Sequence, residues 1–258
     1  MKITVITICL NSEKTIEKTI KSVVNQKYKD IEYIIIDGKS IDKTLNIVNK
    51  YKNKISKIVS EKDTGIYNAM NKGISLATGE FVIFMNADDC FYDNKVIKDT
   101  VKKLEKNPKT GVLYGDALNT GKRYKRIVHF HKTKLSRTYF IFMSLGHQAM
   151  FARRDIFKKI KFDETFRIAG DSDWIYKVWE CKKWQFVPFN RVICVFNLEG
   201  ASSKNAEKER QKYIKENFGI LTYLFYFCFI HTPQIIIYRI VPLKVKEAIV
   251  KLFHKIFY

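Results

Sequence analysis

The sequence predicts an α/β fold built on a Rossmann-like, mostly parallel central sheet with flanking helices, and three observations carry that expectation. Short β-branched runs alternate with segments of helical periodicity from the first residues onward. One run, Phe81-Val82-Ile83-Phe84-Met85, is apolar without interruption, and it stops abruptly at Asn86-Ala87-Asp88-Asp89. Strand–helix alternation is the pattern of βαβ units on a parallel sheet. An unbroken apolar strand is buried on both faces and therefore central. Acids that follow it directly sit at its carboxyl end, where open α/β sheets bind their ligands.

The elements follow in order. Residues 2–8 are β-branched and apolar and read as the first strand; Asn11 or Ser12 then caps a helix whose Ile16, Ile20, Val23 and Val24 keep helical spacing. Residues 32–36 form a second strand ending in Asp37-Gly38-Lys39-Ser40-Ile41-Asp42, with Leu45, Ile47 and Val48 on the next helix. A third strand at 55–59 leads through Glu61-Lys62-Asp63-Thr64-Gly65 into a helix containing Met70 and Ile74, and Gly79 breaks the chain before the central strand. Ile97, Val101 and Leu104 mark another amphipathic helix, ended by Pro108 ahead of a strand at 112–114. Beyond Gly115 the pattern loosens. Residues 123–130 read as an edge strand or hairpin arm, 146–151 as a strand carrying His147 and Gln148, and 186–187 and 192–196 as closing strands. Trp174, Ile175, Val178 and Trp179 fit a helix that starts just after Gly170-Asp171-Ser172-Asp173.

A chain of 258 residues with 46% hydrophobic content has enough apolar surface for a real core, which excludes disorder as the default. The net charge of +21 points to an anionic partner: nucleic acid, acidic lipid or a phosphorylated substrate. Lysine scattered among Ile and Asn along the whole chain weakens that inference, since it also reads as a bias of composition. Cys9, Cys90, Cys181, Cys194 and Cys228 are odd in number and without CxxC or Cys/His spacing, so they imply reduced thiols of a cytoplasmic protein, neither disulfides nor a zinc site. The first apolar stretch is too short for a signal peptide. Residues 1–216 are expected to form one domain. From 218 to 238 only His231 can carry charge, and Arg239, Lys244, Lys246, Lys251 and Lys255 follow. Residues 217–258 therefore read as a membrane-associating helical segment lying on an anionic leaflet, with a true span and a helical cap over the domain as the alternatives.

Three ordered motifs sharpen this outline: Asp37-Gly38-x-Ser40-x-Asp42, Glu61-x-Asp63-x-Gly65-Ile66-Tyr67-x-Ala69-x-Asn71-Lys72-Gly73, and Asn86-x-Asp88-Asp89. Together they resemble the family 2 glycosyltransferases over roughly the first 200 residues, within which the likeness is to bacterial enzymes that build surface polysaccharide. The resemblance implies a GT-A fold, a UDP-linked nucleotide-sugar donor, inversion at the anomeric carbon, Mn²⁺ or Mg²⁺, and a saccharide acceptor on a lipid carrier. Carried over residue by residue, it implies donor contacts from Thr7, Asn11, Asp37, Asp63 and Asp88, with Asp37 on the base and Asp88 on the ribose, and metal ligation by Asp89. Asn86 stands where the family pattern has a carboxylate. Asp171 matches the second acid of the family's Glu-Asp pair, the general base, with Gly170 in place of the glutamate and Asp173 as runner-up. His147, Gln148 and Arg153 resemble a family element that would face the diphosphate or the acceptor.

The residues admit these roles on chemical grounds. Mg²⁺ takes one or two carboxylates plus waters and substrate phosphates; a carboxylate suits both proton removal and a positively charged sugar ring; and a base lacking the N–H that meets Asp37 leaves an acceptor unpaired. The plainer readings are turn and cap chemistry for Asp37, Asp42 and Asn86-Ala87-Asp88-Asp89, a structural role for His147, and core packing for Trp174 and Trp179. Two other functions share parts of the pattern. A sugar-phosphate nucleotidyltransferase would show a glycine-rich basic loop after the first strand, which Cys9-Leu10-Asn11-Ser12 does not provide. A basic lipid- or nucleic-acid-binding protein would not place acids at strand ends, so no nucleic-acid partner is expected.

Overall fold

The structure, a computed structural model, describes residues 1–122, 124–198 and 206–225. Its elements run β1 (Ile3–Cys9), α1 (Ile16–Val24), β2 (Ile31–Asp37), α2 (Thr44–Asn49), β3 (Lys57–Ser60), α3 (Ile66–Leu76), β4 (Phe81–Phe84), β5 (Cys90–Phe91), α4 (Val96–Glu105), β6 (Thr110–Gly121), β7 (Tyr124–Val128), α5 (Arg137–Phe142), β8 (Met150–Arg153), α6 (Arg154–Lys159), α7 (Gly170–Glu180), β9 (Gln185–Asn197), α8 (Ala206–Phe218) and α9 (Ile220–Phe225). One sheet has the order β3-β2-β1-β4-β8-β6-β9-β5, with β7 beside β6.

The first four strands of that order are parallel, as the βαβ alternation requires. Every residue of β1 and β4 is buried, the consequence of their unbroken apolar character. Their helices bury matching stripes: α1 turns Ile16, Ile20 and Val23 inward, so truncating Ile20 to alanine costs about 2–5 kcal/mol by transfer and cavity terms. The second half is mixed. β8 runs antiparallel to both β4 and β6, β9 runs parallel to β6, and β5 pairs antiparallel with β9. β9 is one continuous strand of 13 residues where two short ones are expected from the sequence.

Three local expectations are corrected. Helix α1 begins at Ile16, not after Asn11 or Ser12. Asn11 adopts φ 48°, its Oδ1 accepts from the Ile41 N–H at 3.0 Å, and the Ser12 N–H donates to Thr44 Oγ1 at 2.7 Å, so both residues tie the β1 loop to the β2 loop. His147 and Gln148 lie in a 3₁₀ turn, with the strand starting only at Met150. Helix α7 starts at Gly170, which puts Asp171 and Asp173 in its first turn.

Helix α8 runs without a break past residue 216 and buries Tyr213, Ile214 and Phe218 against the body. Tyr213 Oη donates to the Phe140 carbonyl at 3.0 Å, and Asn217 Nδ2 donates to Asp173 Oδ1 at 2.8 Å. Among the described residues no helix is long and apolar enough to cross a membrane. The expected membrane-associating segment, 217–258, falls outside the described residues beyond Phe225; within them α9 exposes Ile220, Leu221 and Leu224.

Candidate active site

Strands β1, β2 and β4 end on one edge, and the loops leaving them wall a cleft of about 860 Å³ together with the 144–148 segment, Arg167, Ile168, Asp171 and the end of β9. The turn after β4 forms its floor. Thr19, buried on α1, donates its hydroxyl to the Asp89 carbonyl at 2.6 Å and so clamps this turn. Asp89 is 1% exposed; its Oδ1 accepts the Asn197 N–H at 3.1 Å, whereas Oδ2 is buried with no hydrogen-bond partner among the described residues. Burial, and then the neighbouring Asp88 carboxylate, push Asp89 up to about 7. Asp88 is raised too, mainly by burial. A buried carboxylate with one orphaned oxygen, beside a half-buried second carboxylate, carries the desolvation cost of an anion and lacks the charge that would offset it. An all-oxygen donor set of this kind fits Mg²⁺ or Mn²⁺. Asn86 Oδ1, on the same turn, is also buried without a partner among the described residues.

Across the cleft, a hydrogen-bonded chain links three residues far apart in sequence. His147 Nδ1 lies 2.7 Å from Asp171 Oδ2, and His147 Nε2 lies 3.2 Å from Asn86 Nδ2. The Asn86 amide nitrogen can only donate, so Nε2 accepts and Nδ1 carries the proton that bonds the Asp171 carboxylate. Asp171 Oδ1 accepts the Ser172 N–H at 2.7 Å, and Tyr67 Oη, which donates to the Ile168 carbonyl, stands 3.5 Å from it. The first turn of α7 adds the favourable end of a helix dipole.

The remaining candidates divide cleanly. Asn11, Asp63, Asp88, Gln148 and Asp171 line the cleft. Asp63 comes close because residue 38 is glycine: a Cβ there would stand 2.6 Å from Asp63 Oδ2. Thr7 does not line it; it is fully buried in β1, with Oγ1 3.1 Å from Tyr33 Oη. Asp37, expected on the base, is 0% exposed. Its Oδ2 accepts from the Ser40 N–H at 3.0 Å and the Ser60 hydroxyl at 2.6 Å, so the β-sheet register that places it between Cys9 and Ser60 commits it internally. Asp173 is 1% exposed and pairs with Lys177 at 2.7 Å and with Asn217, on the side of α7 facing α8. Arg153 is paired with Phe81 at the start of β4, the opposite end of the sheet, where it bonds Glu80 and the carbonyls of Thr110 and Pro108. Trp174 is core, stacked on Phe157 at 4.4 Å.

Two cleft features are absent from the sequence reading. Arg167 brings a guanidinium to the rim and donates to the Thr64 carbonyl, and Glu209 of α8 accepts the backbone N–H groups of Arg167, Ile168 and Ala169 at 2.6–3.0 Å, bracing the turn before Asp171. Neither carries a motif; an exposed arginine and a helix-surface glutamate look ordinary until the chain is folded.

A mixed α/β sheet whose parallel half opens on an acid-lined cleft is a GT-A domain, and solved structures agree on the fold. S. aureus TarS 1-349 in complex with UDP-GlcNAc superposes with a TM-score of 0.70 at 23% identity over 84% of this chain and 65% of that one. The mannosyltransferase PcManGT from Pyrobaculum calidifontis, in complex with GDP-Man and Mn²⁺, gives 0.65 at 16% identity, covering 100% of this chain and 81% of that one. The family model "Glycosyl transferase family 2" matches residues 4–161, and the chain belongs to that family. Among curated relatives, a PGL/p-HBAD biosynthesis glycosyltransferase of Mycobacterium tuberculosis is 28% identical over 170 residues; the match spans 64% of each chain's length.

Proposed function

We propose that the protein transfers a sugar with inversion from a nucleotide-sugar donor, UDP-linked, to a hydroxyl of a saccharide acceptor held on a lipid carrier, in the assembly of bacterial surface polysaccharide. The observation that carries this reading is the meeting, in one cleft, of the Asp88-Asp89 turn with the Asp171–His147–Asn86 chain. Family membership supports the reaction class, and the UDP-GlcNAc named for TarS and the GDP-Man and Mn²⁺ named for PcManGT support the kind of donor.

Asn11 and Asp63 receive the nucleoside, Asp88 the ribose, and Arg167 screens the diphosphate. Asp89, with its orphaned oxygen, would hold Mn²⁺ or Mg²⁺ with Asp88 beside it; when bound, such an ion neutralises charge that appears on the departing diphosphate. Asp171 accepts the acceptor hydroxyl proton as that oxygen bonds the anomeric carbon and the bond from that carbon to the diphosphate breaks. His147 orients Asp171 by donating from Nδ1, and His147 is itself oriented by Asn86. The apolar faces of α9 and the basic residues beyond it bring the cleft to the cytoplasmic membrane surface.

The test is a panel of nucleotide sugars incubated with purified protein, with Mn²⁺, Mg²⁺ or chelator, reading release of nucleoside diphosphate. One donor should stand out and require a divalent ion. Asp171→Asn should retain donor-induced thermal shift and lose transfer; full transfer by that variant removes the assignment of the base. Co-sedimentation with anionic vesicles, lost when the chain ends at residue 225, tests the membrane role.

A further inference from the structure

Outside the cleft, the strand pair β6–β7 gathers a second set of chemistry-bearing side chains. Asp116 lies on β6 with 2% exposure, and β7 runs directly into His129, Phe130 and His131. His129 Nδ1 is 2.8 Å from Asp116 Oδ2; His131 Nδ1 is 2.8 Å from both Asp116 oxygens, and the His131 backbone N–H donates to Oδ1 at 3.1 Å. The three ligating groups fall within 4.8 Å of one another. The two imidazole planes stand at 90° with centroids 5.6 Å apart, so their nitrogens converge on the carboxylate from different directions. None of the three lines the cleft.

We propose that Asp116, His129 and His131 form a binding site for a borderline divalent transition ion of the Zn²⁺ class, separate from the Asp88-Asp89 turn. Two imidazoles and one carboxylate are an N₂O donor set, which Zn²⁺ accepts with a water in the fourth position and which Mg²⁺ does not favour. Across a tetrahedral ion with bonds of about 2.0–2.1 Å, ligand atoms stand roughly 3.3 Å apart. From 2.8 Å that requires the set to open by about half an ångström, and the His129 side chain, 47% exposed, is free to back away and leaves an entry path. Without an ion both imidazoles donate Nδ1–H to the buried carboxylate; when the ion binds at Nδ1, each neutral ring takes its Nε2–H tautomer, so Nδ1 offers a lone pair and no net proton is released.

The site has a structural consequence. Phe130, held between the two histidines, lines the cleft, and its ring packs where a Cβ on Gly146 would come within 3.5 Å. Gly146 immediately precedes His147. An ion that clips the 129–132 turn to β6 therefore stiffens the wall against which the His147 turn rests, without touching the reacting atoms. The signal in the sequence is the His-x-His spacing of His129 and His131.

The experiment uses the full chain, stripped with chelator and then exposed to Zn²⁺ or Co²⁺ alone, with ion content per chain, the visible absorption of bound Co²⁺ and the thermal midpoint as readouts. Wild type and Asp89→Asn should each retain one tightly held ion and gain thermal stability from Zn²⁺. His129→Ala, at a half-exposed position that the fold tolerates, should bind at least tenfold more weakly and lose the thermal response, with an unchanged far-UV spectrum in chelator. His131→Ala should behave alike. The proposal is overturned if stripped wild type takes up no ion, if His129→Ala binds as wild type does, or if Asp89→Asn rather than His129→Ala abolishes binding.

Discussion

Replacing Glu209 by alanine isolates what holds the proposed base in place. The Glu209 carboxylate accepts from the N–H groups of Arg167, Ile168 and Ala169, at 2.8, 2.6 and 3.0 Å for the shortest bond of each. A hydrogen bond to a charged acceptor contributes about 1.5–3 kcal/mol net. Water reaches this half-buried position and replaces part of each bond, so a total of about 3 kcal/mol is the reasonable expectation, against about 0.5 kcal/mol for an ordinary surface substitution. The loss falls on the turn that feeds Gly170 and Asp171 into α7, and a reacting group displaced by about 1 Å costs on the order of 100-fold in rate. Urea unfolding should show the loss of stability. Turnover should fall in kcat with little change in donor KM, since the nucleoside end of the cleft is untouched. Glu209→Gln, whose carbonyl can occupy the Oε2 position that meets all three donors, should recover most of both. A Glu209→Ala protein within about 0.5 kcal/mol of wild type, or with unchanged kcat, refutes the bracing role.

Three further outcomes are expected. In chelator, Asp89 raised from 3.8 to about 7 means that the folded chain binds a proton the unfolded chain has released between those values, so its contribution to stability falls as pH climbs through that window, by up to about 4 kcal/mol. Asp89→Asn cannot ionise; its stability advantage in urea should widen by about 2.6 kcal/mol from pH 5 to pH 8, and a constant gap contradicts the burial argument. Asp173→Asn should lower the thermal midpoint by removing the ion pair to Lys177, while its amide oxygen can still accept from Asn217, yet keep measurable transfer, whereas Asp171→Asn should do the reverse; equal loss of transfer in both variants removes the distinction. Asn86→Asp supplies no proton to His147 Nε2, so the hydrogen bond in which Nε2 accepts should be lost. Nitrogen NMR of the imidazole reads this directly, and an unaltered His147 spectrum rules out the Asn86–His147 link.

The sequence by itself determined the alternation of strands and helices, the central position of β4 and the acids at its end. These are local properties: periodicity reports which face of an element is buried, and a run that stops reports where a strand ends. It also carried the family motifs. Which acids meet the cleft was decided only by tertiary packing. Asp37 looks as exposed as Asp63 in the chain, yet strand register seats it between Cys9 and Ser60. Asp171 and Asp173 lie two residues apart, which on a helix turns them roughly 200° from one another, so one reaches His147 and the other α8. Arg153 stands away from the cleft because the antiparallel direction of β8 carries it to the start of β4, while Arg167 lies at the rim. Asn86 reads as a departure until His147 arrives 61 residues later to take its amide proton. Side-chain direction depends on partners distant along the chain, and only the folded molecule brings those partners together.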